Sequence, residues 1–417
     1  MKTVYFYLFP RISALLLFIS TFFLSISYSQ TLEAYLDSAA MNNPGLKAKY
    51  KTFEASMEKV AQVGGLPDPN LSFGYFVSPV ETRVGPQRSK FSLTQMFPWF
   101  GTLRAQEEAA SLIAEAKYQE FLEARNKLFY QVAAFYYPLF ELNRLMVLEE
   151  ENLRVLSSYK DIATVKFQNG KVEMVDVLRT DIMLKEARTN LSILKQKKKP
   201  LETRFKALVH LEDTEPITVQ DSLSVKNLLL GYRRDSLLAD NPLINELELK
   251  MKASEASEQV AIKQALPKFG VGLDYVVVGQ RTDIDLPDNG KDVFMPMVTL
   301  NLPIYGGKNR AAKREAQLMQ ESFALQKEDM SDRLSSSYDM VWFEIQKQAD
   351  FITLYTQQIQ TSNQMLNLLF SAYSNSGKDF EEVLRMQQQL LKYQKMRATA
   401  LAEYHIALAE LDYITAK

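Results

Sequence analysis

Gln95-Met96-Phe97-Pro98-Trp99-Phe100-Gly101 ends an alternating apolar stretch and opens a long helix-compatible run, and Leu302-Pro303-Ile304-Tyr305-Gly306 does the same 205 residues later. Three further pairs keep the same order: Asn43-Pro44 with Asn241-Pro242, Gly65-Leu66-Pro67 with Ala265-Leu266-Pro267, and Val177-Leu178-Arg179 with Val383-Leu384-Arg385, at offsets of 198, 200 and 206 residues. One shared dipeptide means little, whereas four matches in register across half a chain are an internal duplication. The chain divides accordingly into a first repeat over 30–209, a connecting insert over 210–231 that carries Pro216, and a second repeat over 232–417.

Both repeats read alike. A helix, over about 31–63 and 232–264, ends at Leu-Pro, because a proline disfavours helix in the residue before it. Two strands follow. Leu71, Phe73, Tyr75 and Val77 alternate with Ser72, Gly74 and Ser78, and after a loop from Ser78 to Ser89 Phe91, Leu93, Gln95 and Phe97 alternate with Lys90, Ser92 and Thr94. In the second repeat Phe269, Val271, Leu273, Tyr275 and Val277 share a face, then Val298, Leu300 and Leu302, with Gly279 to Asp292 as the loop. Period two with one apolar face is a half-buried strand.

Residues 101–168, with Pro138 inside, and 308–375 then read as single helices. At the α-helical rise each is roughly 100 Å long. Helices of that length pack side by side as coiled coil. Three-four spacing marks one seam at Leu145, Leu148, Asn152, Val155, Tyr159 and Ile162, and another at Leu384, Gln387, Leu391, Gln394, Ala398 and Leu401. The helices break at Gln168-Asn169-Gly170-Lys171 and at Ser374-Asn375-Ser376-Gly377-Lys378, which makes each break a hairpin tip.

Composition narrows the function. The 417 residues have a formal net charge of −1, no cysteine and two histidines, which removes disulfide scaffolds, thiol catalysis and any electrostatic case for nucleic acid. A mean hydropathy of −0.19 argues against a polytopic helical membrane protein. Lys2 and Arg11 precede the apolar run Ile12 to Ile26, and Ser27-Tyr28-Ser29 ends it with a small-x-small pattern, the layout of a secretory signal peptide over 1–29. His210 and His405 lack metal-ligand spacing, and the chain has neither a nucleophile elbow nor a phosphate-binding glycine loop, so no enzyme and no cofactor is expected. His405 reads as a packed histidine on its seam. Met295 and Met297 read as strand packing rather than a soft-metal path.

Four strands with one apolar face and aromatic residues near their ends suggest a membrane barrel. Barrels close with roughly eight strands or more, so several copies of the chain must contribute. The same assembly would gather the long helices into a tube. In this layout the chain resembles the TolC-type outer-membrane efflux family, within its heavy-metal and multidrug branches. The resemblance rests on the two Asn-Pro and two Leu-Pro motifs, Gln-x-Phe-Pro-Trp-x-Gly at Gln95 to Gly101, and Tyr-x-x-x-Gly leading to Glu-Val-Leu at Tyr373 to Leu384. It covers essentially the whole chain after residue 29.

The resemblance implies a mainly α fold with a membrane β-barrel: duplicated helical hairpins forming an α-barrel in the periplasm, and four strands per chain contributing to a twelve-stranded homotrimeric barrel in outer-membrane lipid. It implies a passive efflux duct for small toxic solutes, metal cations or drugs, docked on a periplasmic adaptor and an inner-membrane RND-type pump. By the same likeness Glu382 falls at a constriction carboxylate with Arg385 in place of a second acid, Asp176 at the acidic residue of the first tip, and Tyr373 and Lys378 at its closing partners. Gln168, Asn169, Gly170, Lys171, Asn375, Ser376 and Gly377 fall at the adaptor-docking tips. Many relatives of the heavy-metal branch are lipoproteins, and the absence of cysteine departs from that. A duct for protein secretion with an ABC exporter and an exported coiled-coil scaffold remain the alternatives.

Overall fold

The computed structural model describes residues 32–225, 238–284, 286–376 and 380–417, so the expected signal peptide lies outside the described residues. In chain order the elements are α1 (Leu32–Asn42), α2 (Pro44–Gly64), β1 (Asn70–Val80), β2 (Gln87–Phe97), α3 (Thr102–Gln168), α4 (Met174–Val209), α5 (Pro242–Gln264), β3 (Lys268–Val278), β4 (Val293–Asn301), α6 (Gly307–Ser376) and α7 (Phe380–Ile414). The helix expected over 31–63 is in fact two, because Pro44 has no N–H to continue α1 and opens α2 instead. The second repeat breaks at the same motif: α5 starts at Pro242, ten residues after the expected position, and residues 232–237 lie outside the described residues.

The duplicated asparagines have one physical task. Asn43 donates its side-chain amide to the Leu208 carbonyl at 3.0 Å, and Asn241 donates its own to the Ile414 carbonyl at 2.7 Å. Each thereby satisfies a carbonyl that the last helical turn of its own repeat leaves without a partner. Asn241 also caps α5, accepting from the Leu243 N–H at 2.9 Å.

The described residues form two compact units. One comprises Pro44–Lys127, Leu229–Met340 and Leu411–Lys417. Its antiparallel sheet has the order β1-β2-β3-β4, with Phe73 opposite Phe91, Phe91 opposite Tyr275, and Tyr275 opposite Phe294. Pro296 fits β4 because this is an edge strand, where a missing ladder donor is tolerated. The helices of this unit pack through small buried side chains, among them Ala105, Ala109 and Ala116 of α3 and Ala253, Ala256 and Ala261 of α5.

The other unit comprises Met1–Asn43, Leu128–Leu228 and Val341–Glu410, and its described residues contain the tip-ward parts of both hairpins. Leu148, Asn152 and Tyr159 of the first expected seam are buried, as are Leu384, Gln387, Ala398 and Leu401 of the second, whereas Leu145, Val155, Ile162, Leu391 and Gln394 are half-buried. The polar members of the two seams meet: Gln387 donates its amide to Asn152 Oδ1 at 3.3 Å. A buried polar pair of this kind fixes helix register where an all-apolar seam could slip. The described part of the insert has neither helix nor strand and is pinned to the helices, with the Thr218 N–H donating to Tyr35 Oη at 2.9 Å and the Gln220 N–H to Tyr136 Oη at 3.0 Å. His405 is buried, stacked on Tyr137 and 3.1 Å from the Ser224 carbonyl.

Among the described residues no helix is long and apolar enough to cross a membrane.

Candidate functional site

The first tip is a helix end built from its own backbone. Gly170 takes φ +66°, its N–H donates to the Phe167 carbonyl at 2.9 Å, and the Lys171 N–H reaches back to Lys166 at 2.9 Å. This paired cap requires a left-handed residue, which glycine supplies without strain. A Cβ at Gly170 would meet nothing within 4 Å, so the requirement comes from the backbone and the turn faces open space. Gln168, Asn169, Gly170 and Lys171 are all exposed.

At the second tip α6 ends at Ser376, while Gly377 and Lys378 lie outside the described residues, as does the side chain of Ser376. Asn375 is exposed. Tyr373 is fully buried, with its ring stacked on Phe380 at 4.4 Å within a cluster that includes Val177, Leu184 and Val383. Its hydroxyl has no hydrogen-bond partner among the described residues, and burial, with the nearby Asp176 charge, pushes the phenol up to about 12. Lys166 holds the helix end. Its ammonium donates to the Tyr373 carbonyl at 2.7 Å and the Ser374 carbonyl at 3.2 Å, and lies 4.2 Å from the Tyr373 ring centre.

Asp176 is half-buried in the first turn of α4, and desolvation, opposed by Arg179 and reinforced by Glu173 and Glu381, raises its carboxyl. Arg179 reaches across to Glu381 on α7 at 2.7 Å. Glu382 pairs with Arg385 one turn along its own helix. The duplication aligns Asp176 with Glu382 and Arg179 with Arg385, so each repeat presents one acid and one base three residues apart. Among the expected site residues, Asp176 and Tyr373 come close enough to interact electrostatically, while Glu382 and Arg385 form their own pair. Lys166, Arg179 and Glu381 were not singled out from sequence. Arg179 stood within the matched Val-Leu-Arg motif, but the cross-helix partners carry no local signal.

The sheet offers a second candidate surface. Leu71, Phe73, Tyr75 and Val77 of β1, and Phe294, Val298 and Leu300 of β4, are exposed on one face, Val77 by 90% and Val298 by 83%. The register puts Ser72, Ser92, Thr94, Asp274 and Thr299 on the opposite face, where Asp274 is buried in contact with Lys90 and Ser92. Trp99 packs edge-on to Phe100, and Phe100 against Phe269. The sheet thus has one contiguous apolar face open to its surroundings and an opposite face that carries Ser, Thr and Asp, the two-sided pattern of membrane-barrel strands.

Comparison with known proteins agrees. Outer membrane efflux protein BepC of Brucella suis biovar 1 (strain 1330) is 21% identical over 400 residues, which span 93% of this chain and 85% of BepC. Among solved structures, CusC matches with a TM-score of 0.78 at 16% identity, covering 93% of this chain and 92% of CusC. VceC of Vibrio cholerae matches with a TM-score of 0.73 at 17% identity, covering 92% of this chain and 96% of VceC. The open state of the MtrE outer membrane channel of Neisseria gonorrhoeae matches with a TM-score of 0.74 at 17% identity, covering 92% of this chain and 88% of MtrE. No protein-family model matches. The chain has the fold of the TolC-type outer-membrane efflux channels, with helical hairpins for an α-barrel and four strands for a shared β-barrel.

Proposed function

We propose that three copies of this chain close a twelve-stranded barrel in the outer membrane, gather their hairpins into a periplasmic tube, and conduct small toxic solutes outward as the exit duct of a tripartite efflux system. One observation carries this reading: the four-stranded sheet has an exposed apolar face and two edges, β1 and β4, that no other strand pairs among the described residues. In a bilayer each backbone polar group must be paired, and four strands cannot close on themselves, so neighbouring copies supply the missing partners. A scaffold protein in water would have no use for an uncovered row of Leu, Phe, Tyr and Val.

The remaining parts follow from that assembly. The exposed, sharply turned tip at Gln168–Lys171, together with the second tip at Asn375, Ser376 and Gly377, docks the periplasmic adaptor, which joins an inner-membrane RND-type pump. Asp176, Glu382 and Arg385, with Tyr373 and Lys378, form the periplasmic gate. Threefold symmetry turns each carboxylate into a ring of three, whose repulsion the neighbouring arginines offset. The cargo, metal cations or drugs, passes without covalent chemistry.

Single-channel recording in planar bilayers tests the duct and its gate together. Wild-type protein is expected to give a small, cation-selective current that grows in Glu382→Ala and Asp176→Ala. A purified protein that stays monomeric in water and never inserts would overturn the channel and leave the scaffold.

A further inference from the structure

A cavity of about 370 Å³ lies where the insert segment Asp221–Leu223 crosses α3, α6 and α7, within the range typical of small-molecule sites. Its polar lining contains two guanidinium groups, Arg144 of α3 and Arg397 of α7, together with Gln394 and Asp221. Its apolar lining includes Phe140, Leu148 and Ile359. Nε of Arg397 is buried with no hydrogen-bond partner among the described residues. Neither arginine forms an ion pair among the described residues, Asp221 included, although all three line the same space. A buried donor without an acceptor is costly, so an oxyanion entering this space would gain a ready partner in Arg397.

The geometry points to a binding site for a monoanionic amphiphile, its head group held between Arg144 and Arg397 and its hydrocarbon body against Phe140, Leu148 and Ile359. Paired guanidiniums are the side chains best matched to a planar carboxylate or similar oxyanion. Asp221 sets the charge balance: two arginines and one aspartate are neutralised by one negative charge, whereas the second charge of a dianion would be left uncompensated. The apolar wall excludes an inorganic ion as the preferred occupant, because it would leave that wall in contact with water. Every lining group belongs to one chain, and a bound ligand would join the insert to α3 and α7.

Isothermal titration of the purified protein in amphipol with sodium decanoate, decyltrimethylammonium and inorganic phosphate tests this. Decanoate is expected to bind once per chain, with decyltrimethylammonium and phosphate at least tenfold weaker. Arg397→Gln is expected to weaken decanoate at least tenfold, and Asp221→Asn to tighten it severalfold, a gain that misfolding cannot produce. Equal binding of the cationic and anionic amphiphiles, untouched by either variant, would overturn the site. Phosphate binding as tight as decanoate would overturn the amphiphile as its ligand.

Discussion

Tyr373 shows how a residue matched to a gate acquires a second task. Its ring is core and its hydroxyl is an unpartnered passenger among the described residues. Tyr373→Phe is therefore expected to be neutral or to stabilise the protein by about 1 kcal/mol, since it removes a buried donor without opening a cavity. Tyr373→Ala should cost about 3–5 kcal/mol, because the stack on Phe380 is lost. Chemical unfolding of the extracted protein compares the two.

Asp176 makes the tip sensitive to pH. Desolvation raises its folded-state pKa above the unfolded value, so ionisation opposes the packed tip. The tip's stability is fully present below the unfolded pKa and is lost as pH rises through the raised folded pKa. Protection of the tip amides against hydrogen exchange is therefore expected to rise as pH is lowered from neutrality to about 4, the ordinary aspartate range, once corrected for the intrinsic exchange rate. Asp176→Asn should remove that dependence.

At the level of elements, much of the architecture was legible before any coordinates. Period two placed β1 and β2, the length of the proline-poor runs placed α3 and α6, and the duplication supplied the order of the parts. What stayed hidden has one cause. The Asn241 amide ends 173 residues away at Ile414, Lys166 ends 207 residues away at Tyr373, and Arg179 pairs with Glu381. Such ties depend on which helices become neighbours, and sequence spacing within one helix reports only its own face. The seams were half legible for the same reason: the three-four pattern named the buried face, and packing chose which of its members were fully covered.

The two Asn-Pro motifs give an element-scale prediction. Asn241 is buried, caps α5 and holds the end of α7, so Asn241→Ala should cost about 2 kcal/mol, the sum of a lost cap and a lost buried hydrogen bond. Asn43 is only half-buried, and Asn43→Ala should cost about 1 kcal/mol. Paired urea titrations check the order. Equal losses would mean that burial does not distinguish the two ties.

For the whole molecule, the two faces of the sheet should respond differently to charge. Phe73 is 63% exposed on the apolar face, and Phe73→Arg should cost about 2–4 kcal/mol near the bilayer midplane. Thr299 lies on the opposite face, and Thr299→Arg should leave assembly intact. The fraction of heat-modifiable oligomer recovered from membranes measures both. Equal recovery would mean that the exposed apolar row does not meet lipid.

The open edges of β1 and β4 have a genetic consequence. In the proposed assembly, where neighbours finish the sheet, no chain has a private fate: one altered copy spoils every particle it enters. If three chains mix at random, a variant blocked at one edge and produced in equal amount with the normal chain leaves about one particle in eight wholly normal, under the closed symmetry expected of such assemblies. A defect in β1 or β4 should therefore be dominant, whereas a defect at the docking tips can be diluted by the normal chains beside it.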